Sequence, residues 1–329
     1  MAFTGMLMIP FINLLYKLKF RQTKNLSIDF KGQKTLYNEL HGWKVGTPVG
    51  GGILIVVSVF LFSLIFYAIT EFRLNWTSTI LFTTLFSFGL LGLYDDVRKF
   101  FKKETRGIFG LRIRYKFLLQ WLLAFLVSYL IFRYMNIDYI TLPYIFGKTT
   151  LNLGWLFIPL AATLVVFFTN AFNITDGMDG LSGGLLLISL SALWFLCGKC
   201  IHHGDITLFI ATLMGALIPF LYFNIYPARL FMGDAGALAF GAMLAVIALM
   251  IDGAAVLLII GGVFVAEALS TLLQWSSMWI RSGKKLFLIA PLHHHFEALG
   301  WDETKVTMRF WLAGVILAFV GLFVATFCL

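Results

Sequence analysis

The chain has 329 residues, of which 60% are hydrophobic and 12% charged, with a mean hydropathy of +0.89 and a net charge of +9. Soluble proteins carry about 25% charged residues, so this composition excludes a water-soluble enzyme; no segment is long and polar enough for a separate soluble domain, and residues 1–329 read as one integral membrane unit. The positive charge does not imply nucleic acid, because membrane proteins collect Lys and Arg in cytosolic loops facing anionic lipid.

A membrane helix needs about 20 apolar residues. Such runs predict an all-α polytopic protein with about ten transmembrane helices: 1–16, 48–70, 76–94, 117–135, 153–172, 185–198, 207–223, 237–251, 253–280 and 308–328. The first has no basic residue before Lys17, whereas a cleaved signal peptide needs one, so it reads as a span entered from outside. The stretch 136–152, NIDYITLPYIFGKTTLN, carries the β-branched and aromatic residues of a small outer hairpin. The eighth run is short. The ninth would reach about 42 Å if straight, beyond the roughly 30 Å hydrocarbon core. It must tilt, bend near Gly261-Gly262 or project into the cytosol, where Trp275 and Trp279 suit an interface.

Loops after odd-numbered runs hold 7, 8, 0, 1 and 5 Lys and Arg residues, 21 in all, against 4 elsewhere (Arg73, Arg133, Lys148 and Lys199). The positive-inside rule therefore makes the odd loops cytosolic and puts both termini outside. Cys197 and Cys200 form CGKC, followed by His202, His203 and Asp205. Those residue types bind zinc or form redox pairs, but so short an interhelical loop argues for packing and a solvated turn. Cys328 sits in the terminal apolar run.

Each unusual polar cluster falls in an odd loop. HGWKVGTPVGGG (41–52) follows the first run, LGLYDDVRK (91–99) the third, and TNAFNITDGMDGLSGG (169–184) the fifth. FNIYPARLFMGDAGAL (223–238) follows the seventh, and APLHHHFEALGWDETKV (290–306) the ninth. Charge bias and motif placement choose the same face, which predicts one composite cytosolic site.

Within the third loop, Asn170, Asn173, Asp176 and Asp179 recur every three residues, more than helix capping requires. Asp95 and Lys99 share a helical face at i, i+4, and the adjacent Asp95 and Asp96 repel unless a cation or proton lies near. With Asp176, Asp179 and Asp234 they offer hard oxygens suited to magnesium, which takes only one or two protein carboxylates, so some must do other work. Gly233-Asp234-Ala235-Gly236 reads either as a close backbone approach to a ligand or as a tight turn with a capping Asp. Phe231 can stack on a flat base or simply pack; Lys99, Arg112, Arg114 and Lys116 can hold phosphate or stay solvated. His293, His294 and His295 cannot all face one metal, but imidazoles orient phosphate or shuttle protons. Glu267 inside the ninth run needs a partner, either Ser270 or a neighbouring helix.

DDVRK, NAFNITDGMDGL, FMGDAGAL and PLHHHFEALGWDETKVTMRFW together resemble the polyprenyl-phosphate N-acetylhexosamine-1-phosphate transferase superfamily. Within it, HHHFE followed by GW and KV-x-x-RFW is similar to the phospho-N-acetylmuramoyl-pentapeptide transferases of bacterial peptidoglycan synthesis, over nearly the whole chain. The resemblance implies a multi-pass enzyme of the bacterial inner (plasma) membrane, with its site on the cytoplasmic face, acting as a homodimer. It would transfer phospho-MurNAc-pentapeptide from UDP-MurNAc-pentapeptide to undecaprenyl phosphate, giving lipid I and UMP, with Mg2+ required. By motif it implies Asp234 as magnesium ligand, and Asp95 and Asp96 near the lipid phosphate, with Asp95 as base or nucleophile. It implies Asn173, Asp176 and Asp179 as the nucleotide-sugar motif, with Asn224 preceding the Asp234 motif and Phe231 stacking on uracil. Lys99 and Lys116 would line the site, and His293, His294 and His295 would form its histidine loop, with His293 among the catalytic group.

Two departures stand out: Gly46–Gly52 reads GTPVGGG where the family has GTPTMGG, and Ala237 replaces a frequent Ser. The alternatives are a UDP-GlcNAc-using polyprenyl-phosphate GlcNAc-1-phosphate transferase, which would not carry HHHFE, and an ion-coupled transporter. A transporter places its polar groups near the midplane, whereas here all but Glu267 cluster at one face.

Overall fold

The structure is a computed structural model and describes residues 1–22, 42–69, 74–101, 111–144, 147–198 and 204–326. Among these, the helices are α1 (Ala2–Lys17), α2 (Gly51–Ile69), α3 (Trp76–Phe101), α4 (Ile113–Met135), α5 (Phe157–Thr175), α6 (Leu181–Gly198) and α7 (Gly204–Asn224). They continue with α8 (Asp234–Met250), α9 (Ala254–Ile260), α10 (Gly262–Ile280), α11 (Leu292–Ala298) and α12 (Glu303–Thr326). Strands β1 (Tyr139–Tyr144) and β2 (Gly147–Asn152) pair antiparallel, Tyr139 opposite Asn152, as the expected hairpin.

All ten apolar runs reappear as helix, but seven helices have the length and apolarity to cross a membrane, eight counting α9 and α10 as one broken span. These counts are of the described residues; the other two of the ten runs, α1 and α8, are apolar but shorter. The ninth run bends, by 79° between α9 and α10, at Gly261. Helix α3 runs seven residues past its predicted end, so Asp95, Asp96 and Lys99 sit on its last turns. Cys197 is buried on α6, while Cys200, His202, His203 and Cys328 lie outside the described residues. Asp205, which follows them, lies in the first turn of α7 and accepts hydrogen bonds from Tyr67 and Asn75.

Helix α8 is the central post. Every residue from Ala235 to Met250 is buried, as expected of a helix apolar all round. It is rich in Gly and Ala, which let helix backbones approach closely. A Cβ on Gly92 of α3 would lie 2.1 Å from the Asp234 carbonyl oxygen, and one on Gly52 of α2 would lie 2.3 Å from the Gly236 Cα. A Cβ on Gly241 would meet the Thr169 Cα of α5 at 2.7 Å. After α8, Asp252 accepts hydrogen bonds from Thr141 of the hairpin, through N–H at 3.2 Å and Oγ1 at 2.6 Å. The hairpin and Asp234 therefore mark opposite ends of a helix about 25 Å long.

Gly92→Ala should cost about 1–3 kcal/mol or more, because the clash is with backbone that cannot rotate away. Gly89→Ala, one turn earlier, would meet its nearest neighbours at an ordinary 3.8 Å and should be neutral or slightly stabilising. Thermal unfolding of both variants in detergent checks the contrast; equal melting temperatures would remove close backbone packing as the reason for Gly92.

Candidate active site

At the Asp234 end of α8, five loops meet. The first supplies a backbone strap. Val49 pairs with Phe231 in a parallel bridge; Pro48 accepts from the Phe231 N–H, and the N–H groups of Gly50 and Gly51 donate back to the Phe231 carbonyl at 3.0 and 2.8 Å. This defines the part played by the divergent GTPVGGG segment: its backbone fixes the residues just before Asp234, and Gly50 does so at φ +125°.

Asp95 and Asp96 point different ways, as neighbours on a helix must. Asp96 is buried and accepts the N–H groups of Asp234 at 3.2 Å and Ala235 at 3.1 Å. It thereby caps α8 from another helix, where orphan donors and the positive dipole end favour a carboxylate. A Cβ on Gly233 would stand 2.8 Å from the Asp96 Oδ2, and Gly233 holds φ +79°. Asp95, also buried, accepts the Leu111 N–H at 2.5 Å and the Lys116 ammonium at 3.0 Å. Lys99 reaches Asp234 at 2.8 Å and Asp95 at 3.4 Å, and Lys116 pairs with Asp234 as well. Lys99 is the most open of the group, its side chain 35% exposed. Three carboxylates and two ammonium groups thus share the mouth of α8.

The third loop lies beside them. Asp176 accepts from Ser182 Oγ at 2.5 Å, and burial pushes its carboxyl up to about 6 against that hydrogen bond. Asn173 is half-buried one turn earlier, and Asn170 turns away to the Gln120 amide of α4 at 2.8 Å. Asp179 is buried, accepting Lys44 Nζ at 2.7 Å and the Ala228 N–H at 2.9 Å. Asn224 is buried too, accepting the Gly180 N–H and donating to the Leu230 carbonyl. Phe231 is half-buried, with Lys44 Nζ 6.0 Å from its ring centroid.

Nothing in the sequence pairs Lys44, in the first loop, with Glu303, in the fifth, yet the fold brings them together. Glu303 accepts both Lys44 Nζ at 2.5 Å and the Asp179 N–H at 2.8 Å, so one ion cluster ties loops one, three and five. Burial works to lower the Lys44 pKa, but Glu303 and Asp179 outweigh it and hold the ammonium above its ordinary value. The available signal was the lone Lys between Trp43 and the GTP turn, masked by six other cations in that loop.

The fifth loop closes the site through α11. His293 and His294 turn toward Gly177: a Cβ there would lie 2.5 Å from the His293 Nε2 and 3.2 Å from the His294 Nε2. His294 Nδ1 meets Glu297 at 2.7 Å. His295 faces elsewhere, its Nδ1 accepting the Leu288 N–H at 3.2 Å. Glu267 finds its partner in a neighbouring element, with its carboxylate 3.0 Å from His293 Nδ1, while Ser270 donates only to the Glu267 backbone carbonyl.

The family model described as Glycosyl transferase family 4 matches residues 76–252. Three curated relatives, each called phospho-N-acetylmuramoyl-pentapeptide-transferase, match far more. That of Desulfotalea psychrophila is 40% identical over 301 residues, covering 87% of this chain and 80% of the relative. Those of Oceanobacillus iheyensis and Acetivibrio thermocellus are 38% and 37% identical, covering 95% and 98% of this chain and 92% of each relative. The chain belongs to the phospho-N-acetylmuramoyl-pentapeptide-transferase family. A phospho-N-acetylmuramoyl-pentapeptide-transferase is a phosphotransferase, and with seven or eight helices able to span, this one is a multi-pass membrane protein.

Lys44→Ala should destabilise by about 3–5 kcal/mol, because it leaves Asp179 and Glu303 facing each other without their cation. The paired carboxyls would then hold raised pKa values, so stability returns as pH falls and one takes a proton. Melting in detergent at pH 8 and pH 5 should show the larger loss at pH 8. An equal loss at both would mean that the ammonium is not what holds the cluster.

Proposed function

We propose that this chain transfers phospho-MurNAc-pentapeptide from UDP-MurNAc-pentapeptide to undecaprenyl phosphate, releasing UMP and forming lipid I. One observation carries the reading: Asp95, Asp96 and Asp234, with Lys99 and Lys116, share one end of the bundle with the Asp176–Asp179 turn and the HHHFE helix. The positive-inside count supports a cytoplasmic face for that end, in a bacterial inner membrane with ten membrane segments and both termini outside. The family resemblance supports a homodimer.

Release of UMP fixes the bond chemistry. An oxygen of the lipid phosphate attacks the β-phosphorus of the UDP-sugar, and the bond from that phosphorus to the bridging oxygen breaks. Such transfer is mostly positioning and charge neutralisation. Lys99 and Lys116, already drawn to carboxylates, would turn their ammonium groups to the diphosphate, and Phe231 is open enough to stack on the uracil. The lipid phosphate's second pKa is near 6, so much of it is dianionic at neutral pH and needs little from a base. That favours Asp95 as an orienting group, since its two oxygens already accept the Leu111 N–H and Lys116.

Among the described residues no three His, Cys, Asp or Glu side chains gather as a complete metal cage. Magnesium takes only one or two protein carboxylates and fills the rest with water and phosphate. Asp234, which draws two ammonium groups and is 14% exposed, fits that demand. Bound there, the ion would neutralise charge on the diphosphate.

The test is a reconstituted assay offering undecaprenyl phosphate with UDP-MurNAc-pentapeptide or UDP-GlcNAc. UMP and a lipid product should form with the former, only with magnesium, and Asp234→Ala should lose at least about 100-fold. UMP release from UDP-GlcNAc instead, or an Asp234→Ala variant with normal magnesium-dependent turnover, would refute the assignment.

A further inference from the structure

Glu267 and His293 are both 0% exposed, and a buried carboxylate within a membrane bundle is costly unless it is held. Here it is held twice by the same residue. Glu267 Oε1 accepts the His293 backbone N–H at 3.2 Å, and Oε2 lies 3.0 Å from His293 Nδ1. Glu267 sits on α10 and His293 on α11, 26 residues apart, so the double contact fixes the backbone and the ring of one residue from another element. An ionised Glu267 can only accept, and in that pairing Nδ1 carries the proton. The other ring nitrogen is then turned inward: Nε2 is buried and has no hydrogen-bond partner among the described residues. It lies against Gly177, where a Cβ would come within 2.5 Å of it. An unpaired buried nitrogen costs about 1–3 kcal/mol and calls for a reason.

We propose that Glu267 is a positioning residue for the transfer reaction. It locks the tautomer and angle of the His293 imidazole, so that Nε2 meets the Asp176–Gly177 turn as a proton-free lone pair. The reading rests on the proposed transferase function. A carboxylate behind an imidazole is the usual way for a protein to set which ring nitrogen is free. Rotating the ring about its axis would forfeit the Nδ1 contact, and a wider residue at 177 would displace the ring, so Glu267 and Gly177 constrain the imidazole from its two ends.

The decisive variant is Glu267→Gln, nearly isosteric and uncharged. Its amide oxygen can keep the backbone N–H while its NH2 faces Nδ1, which then must accept and move the proton to Nε2. Imidazole 15N shifts of the full-length protein in bilayers report this directly, the His293 signal being assigned by its loss in His293→Gln. We expect the wild-type protein to hold the proton on Nδ1 and Glu267→Gln to hold it on Nε2. In the assay above, kcat should fall roughly 10–100-fold, with KM for the UDP-sugar within about twofold. In a His293→Gln background the same change should have no further effect on kcat. Unmoved 15N shifts, unchanged kcat, or a loss that adds to that of His293→Gln would overturn the proposal; so would a fall in kcat matched by a fall in melting temperature. If the wild-type protein made no UMP, the transferase reading would fail, while the 15N comparison would still decide the Glu267–His293 lock.

Discussion

The structure depends on burying a short helix end-on. Helix α8 contributes no lipid-facing surface, so its N-terminal N–H groups must find acceptors inside the protein. Asp96 supplies them from α3, and its own charge is offset by the dipole it caps and by Lys99 at 3.8 Å. That arrangement puts Asp234, the first residue of α8, at the meeting point of α3, the Lys116 turn and the strap 48–52. The carboxylates at the mouth therefore divide their labour. Asp96 holds the scaffold, Asp234 faces the two lysines, and Asp95 anchors the start of α4 through Leu111 and Lys116.

A second constraint is the charge cluster around Lys44. Lysine is among the residues least often buried, and here its ammonium is neutralised by carboxylates from two distant loops. The cluster also satisfies backbone groups: Asp179 takes the Ala228 N–H, and Glu303 takes the Asp179 N–H. The DGMDG turn is thereby pinned on its far side, while its near side meets the two histidines. The turn is held as one piece between an ion cluster and a pair of imidazoles.

The polar clusters and their common face were legible in the sequence because two independent signals agreed, loop parity in Lys and Arg and the position of Asp and His at helix mouths. The break at Gly261 was legible only as one of three outcomes, beside a tilt and a cytosolic projection, because a run of that length does not fit a bilayer straight. Other features were not. Hydropathy cannot separate a helix facing lipid from one facing protein, so α8 looked like a short span; its Gly and Ala content was the usable clue. Asp96 is chemically identical to Asp95 in sequence, and only the 100° turn between helical neighbours sends it to α8. Glu303 reads as an ordinary first-turn acid of α12 until the fold brings Lys44 beneath it. Asn224 and Asp179 resembled substrate ligands by motif, and the structure adds that both are tied into backbone, so their removal touches scaffold as well as site.

The Lys44–Glu303 pair spans 259 residues, and this has a bearing on how the protein is made. Ribosomes add about 5–20 residues per second, so Lys44 precedes its second carboxylate by roughly 10–50 s. Once Asp179 has been made, the first loop can meet it, but until the fifth loop follows, the DGMDG turn lacks both Glu303 and the two histidines. The site is thus completed only after α12 has been made. A nascent chain, or one truncated before α12, would carry the aspartate motifs without a rigid wall to hold them, which delays assembly of the catalytic mouth until Glu303 is in place.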